Sequence, residues 1–130
     1  MDLQSRLSLL ITAIGTDVKN LSAVGSDNSI ATAHPPGYAV QNFYTITAQA
    51  VALSFGTTGG TEVDGNRLII RVKDNGTARA ISYVAGNYRS LDSTNLPLPT
   101  TTAIGKWLYM GFVYNGTDAI WDLVSVLNQT

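Results

Sequence analysis

Hydrophobic and polar residues alternate at two different periods along this chain. From Asp2 to Val24 the apolar positions advance by alternating four- and three-residue steps, through Leu3, Leu7, Leu10, Ile14, Leu21 and Val24, with Asp17 in the one polar slot. A second seam through Leu7, Ile11, Ile14, Val18 and Leu21 widens the apolar face. This pattern predicts a helix. A wide face mixing Leu and Ile suits a three-stranded coiled coil, and an amphipathic helix docked on its own domain is the alternative. So few heptads are marginal alone, so neighbouring domains would also have to associate. The run Gly25-Ser26-Asp27-Asn28-Ser29 then reads as a flexible exit, and residues 25–37 as a polar linker ending in His34-Pro35-Pro36-Gly37.

From Tyr38 onward the period shortens to two. Tyr44–Ala48 and Ala50–Phe55 have β-rich composition, and Gly56–Gly60 follows as a loop. Leu68, Ile70 and Val72 alternate with Arg67, Ile69, Arg71 and Lys73 up to Asn75-Gly76, a pair suited to a type I′ turn. The expectation is a β-hairpin in which Ile70 faces Ile81 and Leu68 faces Tyr83. Ala85–Thr102 is irregular, broken by Gly86, Asn87, Pro97 and Pro99. A second hairpin is expected around Asn115-Gly116, joining Lys106–Tyr114 to Ala119–Leu127. Leu108, Met110, Phe112, Trp121 and Leu123 would share one face of it, and Trp107, Tyr109, Val113, Ile120, Val124 and Val126 the other. Both faces are largely apolar, so the second must be covered by another sheet or another subunit.

These elements predict a mainly β protein. Residues 38–130 would form an antiparallel β-sandwich head, jelly-roll-like, behind a 1–24 helical segment for oligomerisation or attachment. The 130 residues suffice for one ordinary domain, and 45% apolar content suffices for a core. Charged residues make up 13% and the net charge is −1, so nothing steers the chain toward nucleic acid or an anionic membrane. Arg67, Arg71, Lys73 and Arg79 could form a small basic patch, with Arg79 on the face opposite the other three. Cysteine is absent, which removes disulfides and thiolate metal sites. Leu7–Ile14 is far too short to span a bilayer, and no signal peptide is legible.

The catalytic inventory is thin. His34 is the only histidine and stands before Pro-Pro, so the familiar Ser-His and Cys-His arrangements lack parts. Glu62/Asp64 and Asp118/Asp122 are the carboxylate pairs, and their positions suit turns and edge strands better than hydrolysis. Glu62–Asn66 lacks the spacing of a calcium loop. The reading is therefore of no catalytic, cofactor or metal residues. The best ligand candidates are Asn87, Tyr88, Arg89 and Asp92, which combine a stacking surface with hydrogen-bonding groups as a sugar-binding loop would.

The segment from Asp64 to Arg79, then Leu98-Pro99-Thr100-Thr101-Thr102, then Trp107–Asn115 and Trp121-Asp122 resembles a small β-domain of bacteriophage structural proteins, especially tail-fibre and related virion proteins. The resemblance spans residues 38–127. The Leu7–Leu21 helix, with its Ile14–Lys19 run, resembles the trimeric stalk segments such proteins carry. The resemblance implies a homotrimer on the outside of a virion, made in the bacterial host cytoplasm. It implies contacts to other virion proteins through the helix and, at the exposed head, to a host-surface glycan. It brings no catalytic residues. Because this chain begins directly with the helix, the helix would be the anchor, or the protein a small accessory piece such as a capsid-decorating knob or head fibre. A carbohydrate-binding adhesin module and a glycan-degrading enzyme using Asp118 or Asp122 are the readings from other classes.

Overall fold

Asp2 starts the first helix. Its Oδ1 accepts the Ser5 N–H at 2.7 Å and its carbonyl accepts the Arg6 N–H at 3.1 Å, the arrangement of an acidic N-cap. The Ser5 N–H holds the Asp2 carboxyl below its ordinary pKa. The computed structural model describes residues 2–9, 31–36, 42–59 and 62–130, and helix α1 covers residues 3–9. Leu3 and Leu7 lie one turn apart on it and are 82% and 53% exposed. The remaining expected coil positions, Leu10, Ile14, Leu21 and Val24, and Asp17 between them, fall outside the described residues.

Eight strands follow: β1 (Ala33–His34), β2 (Phe43–Gln49), β3 (Leu53–Phe55), β4 (Arg67–Asp74), β5 (Ile81–Tyr83), β6 (Tyr88–Ser90), β7 (Trp107–Asn115) and β8 (Ile120–Asn128). They form a three-stranded sheet in the order β1-β3-β5 and a five-stranded sheet in the order β2-β4-β7-β8-β6. From β1 to β6 the chain changes sheet at every connection. Two successive crossings bring it back to the same sheet running in the same direction. That is why β1, β3 and β5 pair in parallel, as do β2 with β4. Strand β6 also lies parallel to β8. The expectation of an antiparallel fold is corrected here: only β4–β7 and β7–β8 are antiparallel among the described strands.

The Asn75-Gly76 hairpin does not form. The type I′ turn does not form either: Gly76 has φ 97° but Asn75 does not have a positive φ, and the chain bends with the Gly76 N–H bonded to Asp74 Oδ1 at 2.9 Å. Both edges of β4 are already occupied. Ile70 lies opposite Tyr44 of β2 on one side and Met110 of β7 on the other, leaving no edge for a returning strand. The chain after the turn is drawn away instead. Arg79 N–H bonds Thr102 Oγ1, Ala80 bridges Thr101, and Ile81 reaches the other sheet. The Asn115-Gly116 hairpin does form, as β7 and β8 with residues 116–119 as its loop.

Alternation in β4 and β7 buries Leu68, Ile70, Val72, Leu108, Met110 and Phe112. Leu53, Phe55 and Ile81 of the smaller sheet join the same core. Each large side chain removed from water contributes roughly 1.5–3 kcal/mol. Strand β8 departs from simple alternation. Gly111 faces Ser125 while Phe112 faces Leu123, so Val124 is an extra, bulged residue. A Cβ on Gly111 would fall 2.5 Å from Ser125 Oγ, so glycine makes room for the irregularity. The bulge reverses side-chain parity beyond it. Val126, expected on the outer face, pairs with Met110 and packs on the core, while Leu127 beside Tyr109 turns outward.

Strand β1 lies inside the segment read as a polar linker. His34 is buried, with Nε2 bonded to the Ala31 carbonyl at 3.0 Å and Nδ1 3.3 Å from the Tyr44 hydroxyl. Burial lowers its pKa, more than the Ala31 and Gln49 contacts raise it. Nothing about a two-residue strand flanked by proline is periodic enough to read in advance.

Candidate functional site

The four expected ligand residues are separated by the backbone that carries them. Tyr88 opens β6, opposite Trp121, and its side chain points into the core. Its hydroxyl donates to the Gly56 carbonyl at 2.8 Å, and its ring packs against Tyr83 and Phe112. Burial, and secondarily the nearby Glu62 charge, raises its pKa. The expectation of an exposed stacking ring is thus corrected: Tyr88 is structural. Asp92 closes a local turn by accepting the Thr94 and Asn95 N–H groups and the Asn95 amide. These bonds, led by the Asn95 side chain, lower its pKa.

Arg89 projects from the next position of β6 and reaches two acids. Its Nε donates to Asp122 Oδ1 at 2.7 Å, and its Nη2 donates to Asp122 Oδ2 at 3.1 Å and to Asp118 Oδ2 at 2.9 Å. Asn115 adds its amide to the same two carboxylates. The structure therefore does bring Asp118 and Asp122 together, around a guanidinium. A forked arginine held by two carboxylates is satisfied at its Asp-facing edges.

Asn87, of the four, borders a cleft. It shares a space of about 210 Å³ with Thr57, Glu62, Tyr114 and Trp121. The floor is fixed by the Trp121 indole, which donates to Thr58 Oγ1 at 2.9 Å, and by the Thr58 hydroxyl, which donates to Glu62. Asp64, the other member of that acidic pair, serves elsewhere: its Oδ1 accepts the Gly116 N–H at 2.8 Å.

A second surface lies on the outer face of the five-stranded sheet. The pairing β2-β4-β7-β8 sets Thr45, Arg71, Tyr109 and Leu127 in one row, with Phe43 and Ile69 in a neighbouring row. The Arg71 guanidinium lies 4.8 Å from the Phe43 ring centroid, 4.8 Å from that of Trp107 and 5.9 Å from that of Tyr109. Lys73 Nζ lies 5.8 Å from the Trp107 ring. Such cation–π contacts contribute about 0.5–1 kcal/mol at exposed sites and more when desolvated. Toward β6 the same face carries a groove of about 430 Å³ in which Leu91, Val113 and Val124 stand beside Asp64, Tyr114, Asn115 and Asp122.

This cluster was not visible as a unit from residue patterns. The alternation placed Arg71 and Lys73 on one face of β4, and Trp107 and Tyr109 on one face of β7. What was missing was that β4 and β7 are neighbours. Arg79 does stand apart from the other cations, donating to Asn75 Oδ1 at 2.9 Å.

No group of three or more His, Asp or Glu side chains placed to hold a metal ion occurs among the described residues, and none of their helices is long and apolar enough to cross a membrane. No known protein family, curated protein or solved structure matches this chain.

Proposed function

We propose that the protein is a non-enzymatic structural component of a bacteriophage virion, a homotrimer exposed on the particle as a fibre- or knob-like appendage. In this reading the two β-sheets form a sandwich head, and the N-terminal helix forms a three-stranded coil that also contacts other virion proteins. The supporting observation is apolar surface left open in two places. Leu3 and Leu7 form an uncovered stripe on α1, and Val124 is 54% exposed beside Leu91 and Val113 on the sheet. Contiguous exposed apolar surface marks an interaction site, and a second and third copy would cover it without a further component. The sequence resemblance to phage fibre domains supplies the virion setting, with a capsid-decorating or head-fibre location as the alternative to the tail.

Light scattering on the full chain in solution tests the assembly. The expected mass is three times the 13.8 kDa of the chain. A monomer at micromolar concentration overturns the trimer. Ile14→Asp is expected to weaken association by placing an unpaired charge at the coil axis, and unchanged assembly favours a helix docked on its own domain. Labelling the protein on intact particles tests the virion assignment and separates tail from capsid.

A further inference from the structure

Arg71 is half-buried between two aromatic rings, yet no carboxylate among the described residues pairs with it. Its Nε donates to Thr45 Oγ1 at 3.1 Å and its Nη1 to the Tyr109 hydroxyl oxygen at 3.2 Å. These bonds fix the guanidinium plane and leave the Nη2 edge without an acceptor among the described residues. Lys73 stands two residues along the same face, against the same indole. The salt bridges among the described residues belong to Arg89, at a different place on the sheet. A rigid guanidinium with an ammonium beside it, and no acid among the described residues to neutralise either, is matched to an anionic group, above all a planar carboxylate.

The surroundings narrow the kind of anion. Next to the cations is a depression of about 370 Å³ bounded by Trp107, Tyr109, Leu127 and Gln129. Leu127 is 67% exposed, so one wall is aliphatic as well as aromatic. Gln129 Oε1 accepts the Trp107 N–H at 3.1 Å, which turns its amide N–H₂ away as a donor. An aromatic edge, an aliphatic wall and a neutral amide suit the C–H face and hydroxyls of a sugar ring. A run of nucleobases needs several open aromatic faces in succession, whereas the Trp107 ring already holds Arg71 and Lys73 and leaves the exposed Leu127 wall as the main apolar contact, enough for a single ring.

The geometry points to a binding site for an acidic saccharide, its carboxylate held by Arg71 and Lys73 and its ring resting in the depression between Trp107 and Leu127. This site is separate from the Leu91–Val113–Val124 groove assigned above to subunit contact, and it does not depend on the trimer. The ligand class covers polymers of hexuronic acids and of sialic acids, which share the carboxylate on a pyranose ring.

Titration calorimetry on the full chain tests it with four probes: tetragalacturonate, tetrasialic acid, cellotetraose as the neutral control, and a twelve-residue oligothymidylate. Binding of either acidic tetramer, absent for cellotetraose and weakened by salt, is the expected result. Arg71→Gln and Lys73→Gln are each expected to weaken that binding about tenfold or more. Lys73→Gln serves as the informative variant should Arg71→Gln not fold. Failure of both acidic tetramers to bind at millimolar concentration overturns the inference. So does equal binding of cellotetraose, or preference for the oligothymidylate. Unchanged affinity in folded Lys73→Gln likewise overturns it. Mass measurement on the same samples keeps the result distinct from assembly: a variant that loses its oligomeric state, in a protein that binds no acidic tetramer, assigns the surface to subunits instead.

Discussion

The Asp74 carboxylate accepts the Gly105 N–H at 2.7 Å, joining the end of β4 to the segment that leads into β7. The same side chain takes the Gly76 N–H at 2.9 Å and the Thr102 hydroxyl at 2.6 Å. One buried acid thus holds a turn, a crossing and the entry to the neighbouring strand. Asp74→Ala leaves three donors without their acceptor, and unfolding in urea is expected to show a loss of about 2–4 kcal/mol. Burial pushes the Asp74 pKa up, but the Thr102, Gly105 and Gly76 bonds and the Arg79 charge outweigh it, so the net shift is down from 3.8. Its stabilisation is therefore complete above about pH 4 and is lost as pH falls further. That acid-side loss is expected to shrink in Asp74→Asn.

His34 acts at higher pH. Its folded pKa lies below the ordinary 6.5 because burial disfavours the imidazolium. The unfolded chain then binds the proton first as pH falls, so the contribution of neutral His34 is full above 6.5 and declines below it. As the chain holds a single histidine, the expected fall in denaturation midpoint that begins as pH drops below about 6.5 is assignable to it. The fall should disappear in His34→Gln; a persistent slope would place its origin elsewhere.

Gly116 is required by contact rather than by backbone angle. A Cβ there would meet Asp64 Cβ at 2.9 Å and Asp64 Cα at 3.3 Å, and the backbone cannot swing aside as a side-chain tip can. The Asp64–Gly116 bond and the Gly65 N–H to Tyr114 carbonyl bond at 2.9 Å would both be displaced. Gly116→Ala is expected to cost about 1–3 kcal/mol in thermal or chemical unfolding. A neutral outcome would show that this corner relaxes freely.

Arg89 carries the charge of two acids, one of them buried. Arg89→Ala is expected to lower the melting temperature, mainly by leaving Asp122 uncompensated at 8% exposure. Adding Asp122→Asn should recover part of the loss. A double variant no better than Arg89→Ala would mean that the ion pair contributes through packing instead.

The parts of this fold that could be read from residues are those in which partners are close in sequence. Strands β7 and β8 are adjacent, so alternation, aromatic content and Asn115-Gly116 all point to one pairing, and that pairing forms. Asn75-Gly76 carried an equally strong local signal, yet only Gly76 takes the positive φ that a type I′ turn needs at both residues. The outcome there was decided by competition for the edges of β4, won by Tyr44 of β2 and Met110 of β7. Strands of two or three residues, such as β1 and β6, have no period to detect, which hid the burial of His34 and Tyr88. The reversal of Val126 and Leu127 depended on the bulge at Val124. Of the expected ligand residues, Asn87 reaches a cleft and Arg89 meets two acids, while the Arg71 cluster needed the β4–β7 pairing before it could be seen.

The alternation of β1 to β6 between two sheets has a kinetic consequence. Among the described strands, β7 and β8 alone pair with an immediate neighbour in sequence, so they can form on the microsecond scale of an isolated hairpin. Strand β4 gains its antiparallel partner only when β7 exists, and β2 then adds to β4. Sequence separation thus favours an order of assembly that runs from the β7–β8 hairpin backward, against the direction of synthesis. During translation β2 and β4 emerge before the strand on which they are built. In that order the apolar Tyr44, Ile46, Leu68, Ile70 and Val72 wait for β7 and β8 to leave the ribosome before they are covered.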